Sequence, residues 1–366
     1  MQIGIIGGGQ LGRMLALAAY PLGARVTFLD PAPAAPMKHL AKHICGAYDD
    51  ERALEQLARG SDVVTYEFEN VPVASAQFIS QFTKIFPPPD ALRVSQDRLV
   101  EKEFFRGLGI PTARFIPVES QTALEREIRE IGGAAILKTR RLGYDGKGQF
   151  LIRAQDDAKR AWHELNREAL ILEEFVNFTR EVSILAARSQ DGAQVFYPLV
   201  ENVHRDGILR LSRAPAPNTT RALQELAQAY AQRVLDTLNY VGVLAIEFFQ
   251  VGDELLANEM APRVHNSGHW TIEGAATSQF ENHARAMLNL PFGSAHARGC
   301  SAMVNLIGEL PDGNALLQIA DAHVHLYDKA PRAGRKLGHV TIVASDEKTR
   351  EMKLAQVLEM IHRKSA

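Results

Sequence analysis

Two acidic residues each interrupt an apolar, strand-like run on either side of a turn signal. Gly252-Asp253 lies between Glu247 and Glu259 and is typical of a hairpin turn. The midpoint of 247 and 259 is 253, so antiparallel pairing places both acids opposite each other on one face. Like charges there repel, and a shared proton or a hard cation such as Mg²⁺ would relieve the repulsion. The pair therefore predicts a Mg²⁺ site, with a structural salt bridge as the alternative. Asn258 points to the opposite face unless the strand is bulged.

A second feature is the glycine-rich segment Gly143-Tyr144-Asp145-Gly146-Lys147-Gly148-Gln149, which follows an apolar strand ending at Lys138. Its glycines present successive N–H groups to an anion, and Lys147 adds charge suited to a triphosphate. It is not a P-loop, because G-x-x-x-x-G-K-[ST] is absent. A lysine in an apolar strand is costly unless an anion meets it. Phosphate binding is therefore predicted, with a mobile surface hairpin as the alternative.

Gly7, Gly9 and Gly12 form a different glycine pattern, G-x-G-x-x-G, between a strand and a helix, and Asp30 ends the next strand. This arrangement is the dinucleotide fingerprint in its expected context, and it raises the alternative of an NAD(P)-dependent oxidoreductase. The same turn also binds other phosphates or serves close packing. An oxidoreductase leaves the second glycine segment and the acid pair unexplained, which disfavours it.

The elements that would position these residues fall into three parts. Strands and helices alternate up to Phe82, which indicates a parallel sheet of βαβ units. The proline triplet 87–89 ends this rhythm, and the following region mixes helices with antiparallel strands. The sequence thus predicts α/β and α+β architecture with domains at 1–89, 90–290 and 291–366.

Composition limits the classes of protein. The chain has 366 residues, 46% of them hydrophobic, and a net charge of -2, which is typical of a globular protein and disfavours nucleic acid as the main partner. Its 2 cysteines cannot build a disulfide framework. No apolar run approaches the ~20 residues that span a bilayer. Met1 leads directly into a strand without a cleavable signal, so we expect a cytoplasmic protein without a membrane partner.

The strand lysine, the glycine segment and the acids across a hairpin together resemble the ATP-grasp superfamily. Within it, the chain resembles the 5-(carboxyamino)imidazole ribonucleotide synthases of purine biosynthesis through stretches that follow family order over nearly the whole chain. These stretches are 7–14, 67–72, 143–149, 258–270, 327–329 and 334–339. The resemblance implies a Rossmann-like N-terminal domain, a central ATP-grasp domain and a small β-rich C-terminal domain.

The resemblance also implies an activity, namely ATP- and bicarbonate-dependent carboxylation of the exocyclic amine of 5-aminoimidazole ribonucleotide through carboxyphosphate. The products would be 5-(carboxyamino)imidazole ribonucleotide, ADP and phosphate, and the enzyme would be a homodimer. Another ATP-grasp ligase, similar to the formate-dependent glycinamide ribonucleotide transformylase, is the alternative.

The resemblance also implies roles for individual residues. Those implied for ATP belong to Arg98, Lys138, 143–149, Glu173, Glu174, Phe175, Val176, Glu181, His204, Asn258 and Glu259. Those implied for Mg²⁺ belong to Glu247 and Glu259. Catalytic roles are implied for Lys138, Arg263 and His265, with bicarbonate near Arg263 and His265. Those implied for the ribonucleotide belong to Gln10, Leu11, Glu67, Asn266, Lys329, Arg335 and Lys336.

Overall fold

The computed structural model describes residues 1–143, 147–165 and 169–362. The N-terminal part is a parallel, five-stranded sheet in the order β3-β2-β1-β4-β5, as the alternation of strands and helices predicts. Short β3 escapes the sequence pattern because its four residues carry no clear alternation. The elements are β1 (Gln2–Ile6), α1 (Gln10–Ala19), β2 (Arg25–Asp30), β3 (Lys42–Cys45), α2 (Glu51–Arg59), β4 (Val63–Tyr66), α3 (Val73–Ile79), β5 (Lys84–Ile85), α4 (Pro89–Ser95) and α5 (Arg98–Gly107).

The next part is a four-stranded antiparallel sheet in the order β6-β9-β7-β8. Apolar side chains of its strands pack against two amphipathic helices, and this small core includes Leu137, Leu172 and Trp162. The elements are β6 (Phe115–Val118), α6 (Gln121–Ile131), β7 (Ala135–Thr139), β8 (Gln149–Ile152), α7 (Asp157–Glu164) and β9 (Leu170–Glu174).

The largest sheet has nine strands, in the order β15-β14-β10-β12-β13-β16-β18-β17 with β11 beside β10. Strands after residue 291 join it through antiparallel pairing of β13 with β16, so the C-terminal part continues this sheet. The elements are β10 (Arg180–Arg188), β11 (Gln194–Phe196), β12 (Val200–Arg205), β13 (Ile208–Ala214), α8 (Arg221–Thr237), β14 (Gly242–Val251), β15 (Glu254–Ala261), α9 (Thr271–Gly274), α10 (Gln279–Met287), β16 (Cys300–Ile307), α11 (Gly313–Leu317), β17 (Ala322–Leu326), β18 (Lys336–Ala344) and α12 (Glu347–His362).

The mixed architecture confirms the predicted fold class, and helix α8 shows how closely local pattern and structure agree. Thr220 caps α8 by accepting a hydrogen bond from the N–H of Leu223. Leu223, Tyr230 and Val234 are buried in the core that the helix shares with β10 and β14. Within the described ranges, no helix combines the length and apolar character that crossing a membrane requires.

Candidate active site

The two acids of the hairpin are directly paired. Glu247 on β14 lies opposite Glu259 on β15, and the register shifts between Glu247 and Phe248. The shift leaves Asn258 as the extra residue of a β-bulge, because Phe248 pairs with Ala257. Asn258 Oδ1 is buried and has no hydrogen-bond partner among the described residues. Burial and the charge of Glu259 raise the pKa of Glu247. These oxygen atoms suit a hard cation.

Arg98 connects this acid pair to the first turn of α5. Its Nη1 lies 3.1 Å from Glu259 Oε2. Asp97 caps the helix through the N–H of Leu99 and also binds the guanidinium of Arg140 at 2.8 Å, which fixes where the helix begins. Gly143 lies against Arg98, since a Cβ at position 143 would be 3.4 Å from Arg98 Nη2. The start of the glycine segment therefore lies beside the acid pair.

Lys138 on β7 is buried, and its anionic partner is a carboxylate of the protein. Its Nζ lies 2.9 Å from Glu173 Oε2, and the fully buried Lys102 approaches the same oxygen at 3.3 Å. Burial alone would raise the pKa of Glu173, but the two ammonium groups lower it to about 2. The inference that Lys138 needs a phosphate is therefore too strong, because Glu173 already compensates part of its charge.

The glycine segment is partly outside the described residues, since Tyr144, Asp145 and Gly146 belong to the gap at 144–146. Its far end returns to β7, where Gln149 on β8 pairs with Lys138. Gly148 has a φ of 71°, and a Cβ there would be 2.5 Å from Thr139 Oγ1. Only glycine fits this position without strain or displacement of the threonine. The described part of the segment is thus held tightly against β7, as the turn chemistry requires.

The residues expected around adenine lie at the end of β9 and directly after it, and those expected around ribose lie on β10 and β12. The N–H groups of Glu174 and Phe175 already donate to the carbonyls of Arg114 and Ala134 at 2.9 and 3.0 Å. Val176 follows them directly along the chain. Glu181 Oε2 lies 2.8 Å from His204 Nδ1. Burial alone would lower the pKa of His204, but this carboxylate and the charge of Glu247 raise it.

Arg263 and His265 lie between the acid pair and the N-terminal part. Arg263 Nε forms an ion pair with Glu69 Oε2 at 2.5 Å, and His265 Nε2 is 3.4 Å from Glu247 Oε1. Burial, then the nearby Arg263 and Lys336, lower the pKa of His265 to about 3, so its ring is neutral at physiological pH. Burial alone would raise the pKa of Glu69, but the Arg263 guanidinium lowers it to about 2.

The residues expected at the ribonucleotide come from all three parts of the chain. Lys329 donates a hydrogen bond to Gln10 Oε1, which links the C-terminal part to the start of α1. Asn266 exchanges two hydrogen bonds with Asn305 on β16, at 2.7 and 3.1 Å. Arg335 and Lys336 end the loop that carries Lys329. The side chain of Leu11 is buried in the hydrophobic core, so the predicted contact of this residue with the ribonucleotide would have to come from its backbone.

In the first glycine loop, carboxylates of the protein itself accept the hydrogen bonds that a dinucleotide would otherwise receive. Glu67 accepts hydrogen bonds from the N–H groups of Gly9 and, at 2.8 Å, Gly12, where a dinucleotide phosphate would bind. Burial raises the pKa of Glu67 despite these donors. Asp30, the expected ribose ligand, accepts from the N–H of Gly8 and from Tyr48 Oη, both at 2.8 Å. The geometry does not favour the oxidoreductase.

Three family models match successive parts of the chain and together cover most of it. The models are the ribonucleotide synthetase preATP-grasp domain over residues 1–96, the ATP-grasp domain over 103–280 and the phosphoribosylaminoimidazole carboxylase C-terminal domain over 301–353. A Pseudomonas aeruginosa protein named N5-carboxyaminoimidazole ribonucleotide synthase is 52% identical over 361 residues, 99% of each chain. The chain belongs to the N5-carboxyaminoimidazole ribonucleotide synthase family. Membership confirms the predicted ATP-grasp fold and the prediction of an ATP-dependent ligase.

Solved members of the N5-carboxyaminoimidazole ribonucleotide synthase family have the same fold. The synthetase from Thermus thermophilus is 55% identical and matches with a TM-score of 0.94 over 98% of both chains. The synthase from Aspergillus clavatus, solved with ADP and 5-aminoimidazole ribonucleotide, is 34% identical and matches with a TM-score of 0.92 over 99% of this chain and 98% of that one.

Sequence reasoning assigned no role to two charged groups that the structure places at the site. Glu69 lies in the 67–72 stretch, and only the fold shows that it pairs with Arg263. Lys102 lies one helical turn after Arg98, a spacing that puts both side chains on one face of α5. From this spacing, Lys102 could have been predicted to lie near the site together with Arg98.

Proposed function

We propose that this chain uses ATP and bicarbonate to carboxylate the exocyclic amine of 5-aminoimidazole ribonucleotide. ADP and phosphate are the other products. The observation that carries the proposal is the pairing of Glu247 with Glu259 beside Arg98, because it joins a cation site to a positive group suited to phosphate. The names of the relatives, and the ribonucleotide bound to the Aspergillus clavatus protein, support the choice of substrate.

Bicarbonate is a poor electrophile, and phosphoryl transfer from ATP would convert it to carboxyphosphate, an activated anhydride. The protein's part in such a transfer is to position the reactants and to neutralise developing charge. We assign this part to Arg98, Lys138 and Arg263. Arg98 and Lys138 each have one carboxylate partner at about hydrogen-bond distance, so they can share their remaining donors with phosphate oxygens.

Glu247, Glu259 and Asn258 would hold Mg²⁺, which would supply positive charge to offset that of the phosphates. The donor chemistry fits, since the strand register pairs two carboxylates, and Asn258, next to Glu259 in the chain, has a buried amide oxygen without a partner among the described residues. His204 and Glu181 would meet the ATP ribose, and 173–176 its adenine. Residues 143–149 would close over the phosphates and exclude water, which protects a readily hydrolysed anhydride.

The ribonucleotide would lie between the N-terminal and C-terminal parts. Lys329, Arg335 and Lys336 supply positive charge for its phosphate, while Gln10, Glu67 and Asn266 supply polar contacts. His265 and Arg263 lie between this group and the acid pair, which suits bicarbonate between the two substrates. The neutral ring of His265 can accept a proton at Nε2 or donate one, depending on its tautomer.

Release of ADP tests the proposed function. The wild-type enzyme should release ADP with ATP, bicarbonate and aminoimidazole ribonucleotide, and much less when the ribonucleotide is omitted. Glycinamide ribonucleotide with formate, and biotin with bicarbonate, test the alternative ligases. Faster release with either of those pairs would contradict the proposal.

We further propose that the chain divides at 89/90 and 290/291 and forms a homodimer. Limited proteolysis would test the boundaries, and sedimentation equilibrium of the full chain would test the dimer. A single species at the mass of one chain, 40.4 kDa, would contradict the dimer.

A further inference from the structure

The loop 328–336, called the cationic loop below, carries Lys329, Arg332, Arg335 and Lys336 and is clamped at its base by a buried polar pair. We propose that Tyr327 and His339 are positioning residues that hold the cationic loop in the geometry required for the ribonucleotide phosphate. Neither residue is assigned a contact with a substrate. The inference rests on the proposed function, since it assigns a purpose to the loop that takes the phosphate.

Tyr327 and His339 form a short hydrogen bond, and both side chains are buried. Tyr327 is 1% exposed and His339 is fully buried, and Tyr327 Oη lies 2.6 Å from His339 Nδ1. Burial lowers the pKa of His339 far below its ordinary value, so the ring stays neutral and the tyrosine hydroxyl can donate to Nδ1. This hydrogen bond between a buried hydroxyl and a buried imidazole fixes the position of β18 relative to Tyr327, the residue that directly follows β17.

Those two strands are the ones that enter and leave the cationic loop. Leu326 at the end of β17 pairs with Gly338 on β18, and the N–H of Tyr327 donates to the carbonyl of Leu337 at 2.9 Å. A side chain at Gly338 would not fit, because a Cβ there would be 2.4 Å from the carbonyl oxygen of His325. The strands therefore approach closely just before the loop opens.

Two further imidazole rings, those of His325 and His269, pack against His339. The ring of His325 stacks on that of His339 with centroids 4.4 Å apart and an interplanar angle of 6°. His325 Nε2 is held by Glu273 Oε1 at 2.6 Å, and this anchors His325 to α9. The ring of His269 also contacts that of His339, with centroids 4.8 Å apart. These two rings restrict how far His339 can move when its hydroxyl partner is lost.

The cationic loop needs such a clamp because its charges repel one another. Burial, with the neighbouring Arg335, Lys336 and Arg332 adding to it, lowers the pKa of Lys329 to about 8 although Glu67 opposes the shift. Asp328 has a left-handed φ of 56°, so the chain turns sharply directly after Tyr327. A bound phosphate would relieve the repulsion only if the loop already places its cations together.

The test compares Tyr327→Phe with His339→Leu and His339→Asn. Losing either partner should raise the KM for the ribonucleotide about tenfold, the effect of one weakened phosphate contact, and leave the KM for ATP within about twofold. His339→Asn keeps a polar group near Nδ1 and should restore most of the affinity. Ribose 5-phosphate, titrated calorimetrically, should show the same order of affinities without turnover.

Tyr197→Phe is the matched control. Tyr197 is also fully buried, and its hydroxyl donates to the carbonyl of Thr277 at 3.0 Å and accepts from Asn282 at 2.8 Å. This variant should lose a similar amount of thermal stability while both KM values stay unchanged. A wild-type enzyme that ignores the ribonucleotide would refute the proposed function. An active wild type, with Tyr327→Phe changing neither KM or both equally, would refute this inference alone.

Discussion

Glu247 and Glu259 face each other only because a one-residue bulge at Asn258 shifts the register of their hairpin. The turn Gly252-Asp253 pairs Val251 with Glu254, and this register, continued without a bulge, would place Asn258 opposite Glu247. The bulge brings the second carboxylate into position and leaves Asn258 beside it. The two carboxylates repel each other in this arrangement, and a bound cation would offset the repulsion.

Replacing Glu259 should remove activity without unfolding the protein. Glu259→Gln deletes one of two anionic ligands and the partner of Arg98, so turnover measured by ADP release should fall at least about a hundredfold. The melting temperature should stay within a few degrees, since repulsion with Glu247 is lost together with the ion pair. Glu254→Gln, exposed on the same strand, is the control and should keep wild-type activity. Near-normal turnover in Glu259→Gln would remove the proposed metal role.

Arg335 should affect one substrate and not the other. We expect Arg335→Ala to raise the KM for the ribonucleotide about tenfold or more, because a charged phosphate partner is lost, and to leave the KM for ATP nearly unchanged. Arg221→Ala on α8, where the side chain is 92% exposed, is the control and should change neither constant. Equal effects of Arg335→Ala on both constants would argue against a phosphate role.

Replacing Gly148 by alanine, compared with the same change at Gly132, distinguishes the effect of backbone strain from that of a steric clash in the glycine segment. Gly148→Ala should cost about 1–2 kcal/mol of stability from its positive φ and should also raise the KM for ATP, because the added Cβ displaces Thr139. Gly132 has a similar φ of 68° but nothing within 4 Å of an added Cβ. Gly132→Ala should therefore lose stability alone. Urea unfolding and initial rates distinguish the two variants. Identical KM values for ATP in both would contradict the proposal that residues 143–149 close over the phosphates.

The ion pair of Glu69 with Arg263 should make stability depend on acid pH. The pKa of Glu69 is about 2 in the folded protein and about 4.5 in the unfolded chain, so its stabilisation is fully present above the higher value. It should disappear as the pH falls from about 4.5 towards 2.

The comparison of wild type with Glu69→Gln measures this contribution. The variant should be about 1.5–3 kcal/mol less stable at pH 7 by urea unfolding, the range for a hydrogen bond to a charged group. The difference should shrink between pH 5 and about 3. Glu55→Gln, which breaks an exposed helix pair, should show almost no difference at any pH. A constant difference for Glu69→Gln would contradict the assigned pKa.

Short-range patterns determined much of the fold and the hairpin site. Alternating strands and helices predicted the parallel sheet, and the turn residues predicted the hairpin that carries Glu247 and Glu259, although the direct pairing of the two acids also needs the bulge at Asn258. These features depend on period, turn chemistry and local spacing, which are properties of a few consecutive residues. The motifs likewise identified the family, because they run in order along the chain.

The tertiary structure alone decided which charges meet. The sequence held no signal that Glu173 would serve both Lys138 and Lys102, that Glu69 would bind Arg263, or that Glu67 would cap the first glycine loop. The partners in each pair are far apart in sequence, and only strand pairing and tertiary packing bring them within hydrogen-bond distance. Charge compensation in a buried site is a property of that packing, since any neighbouring carboxylate can take the place of an expected ligand.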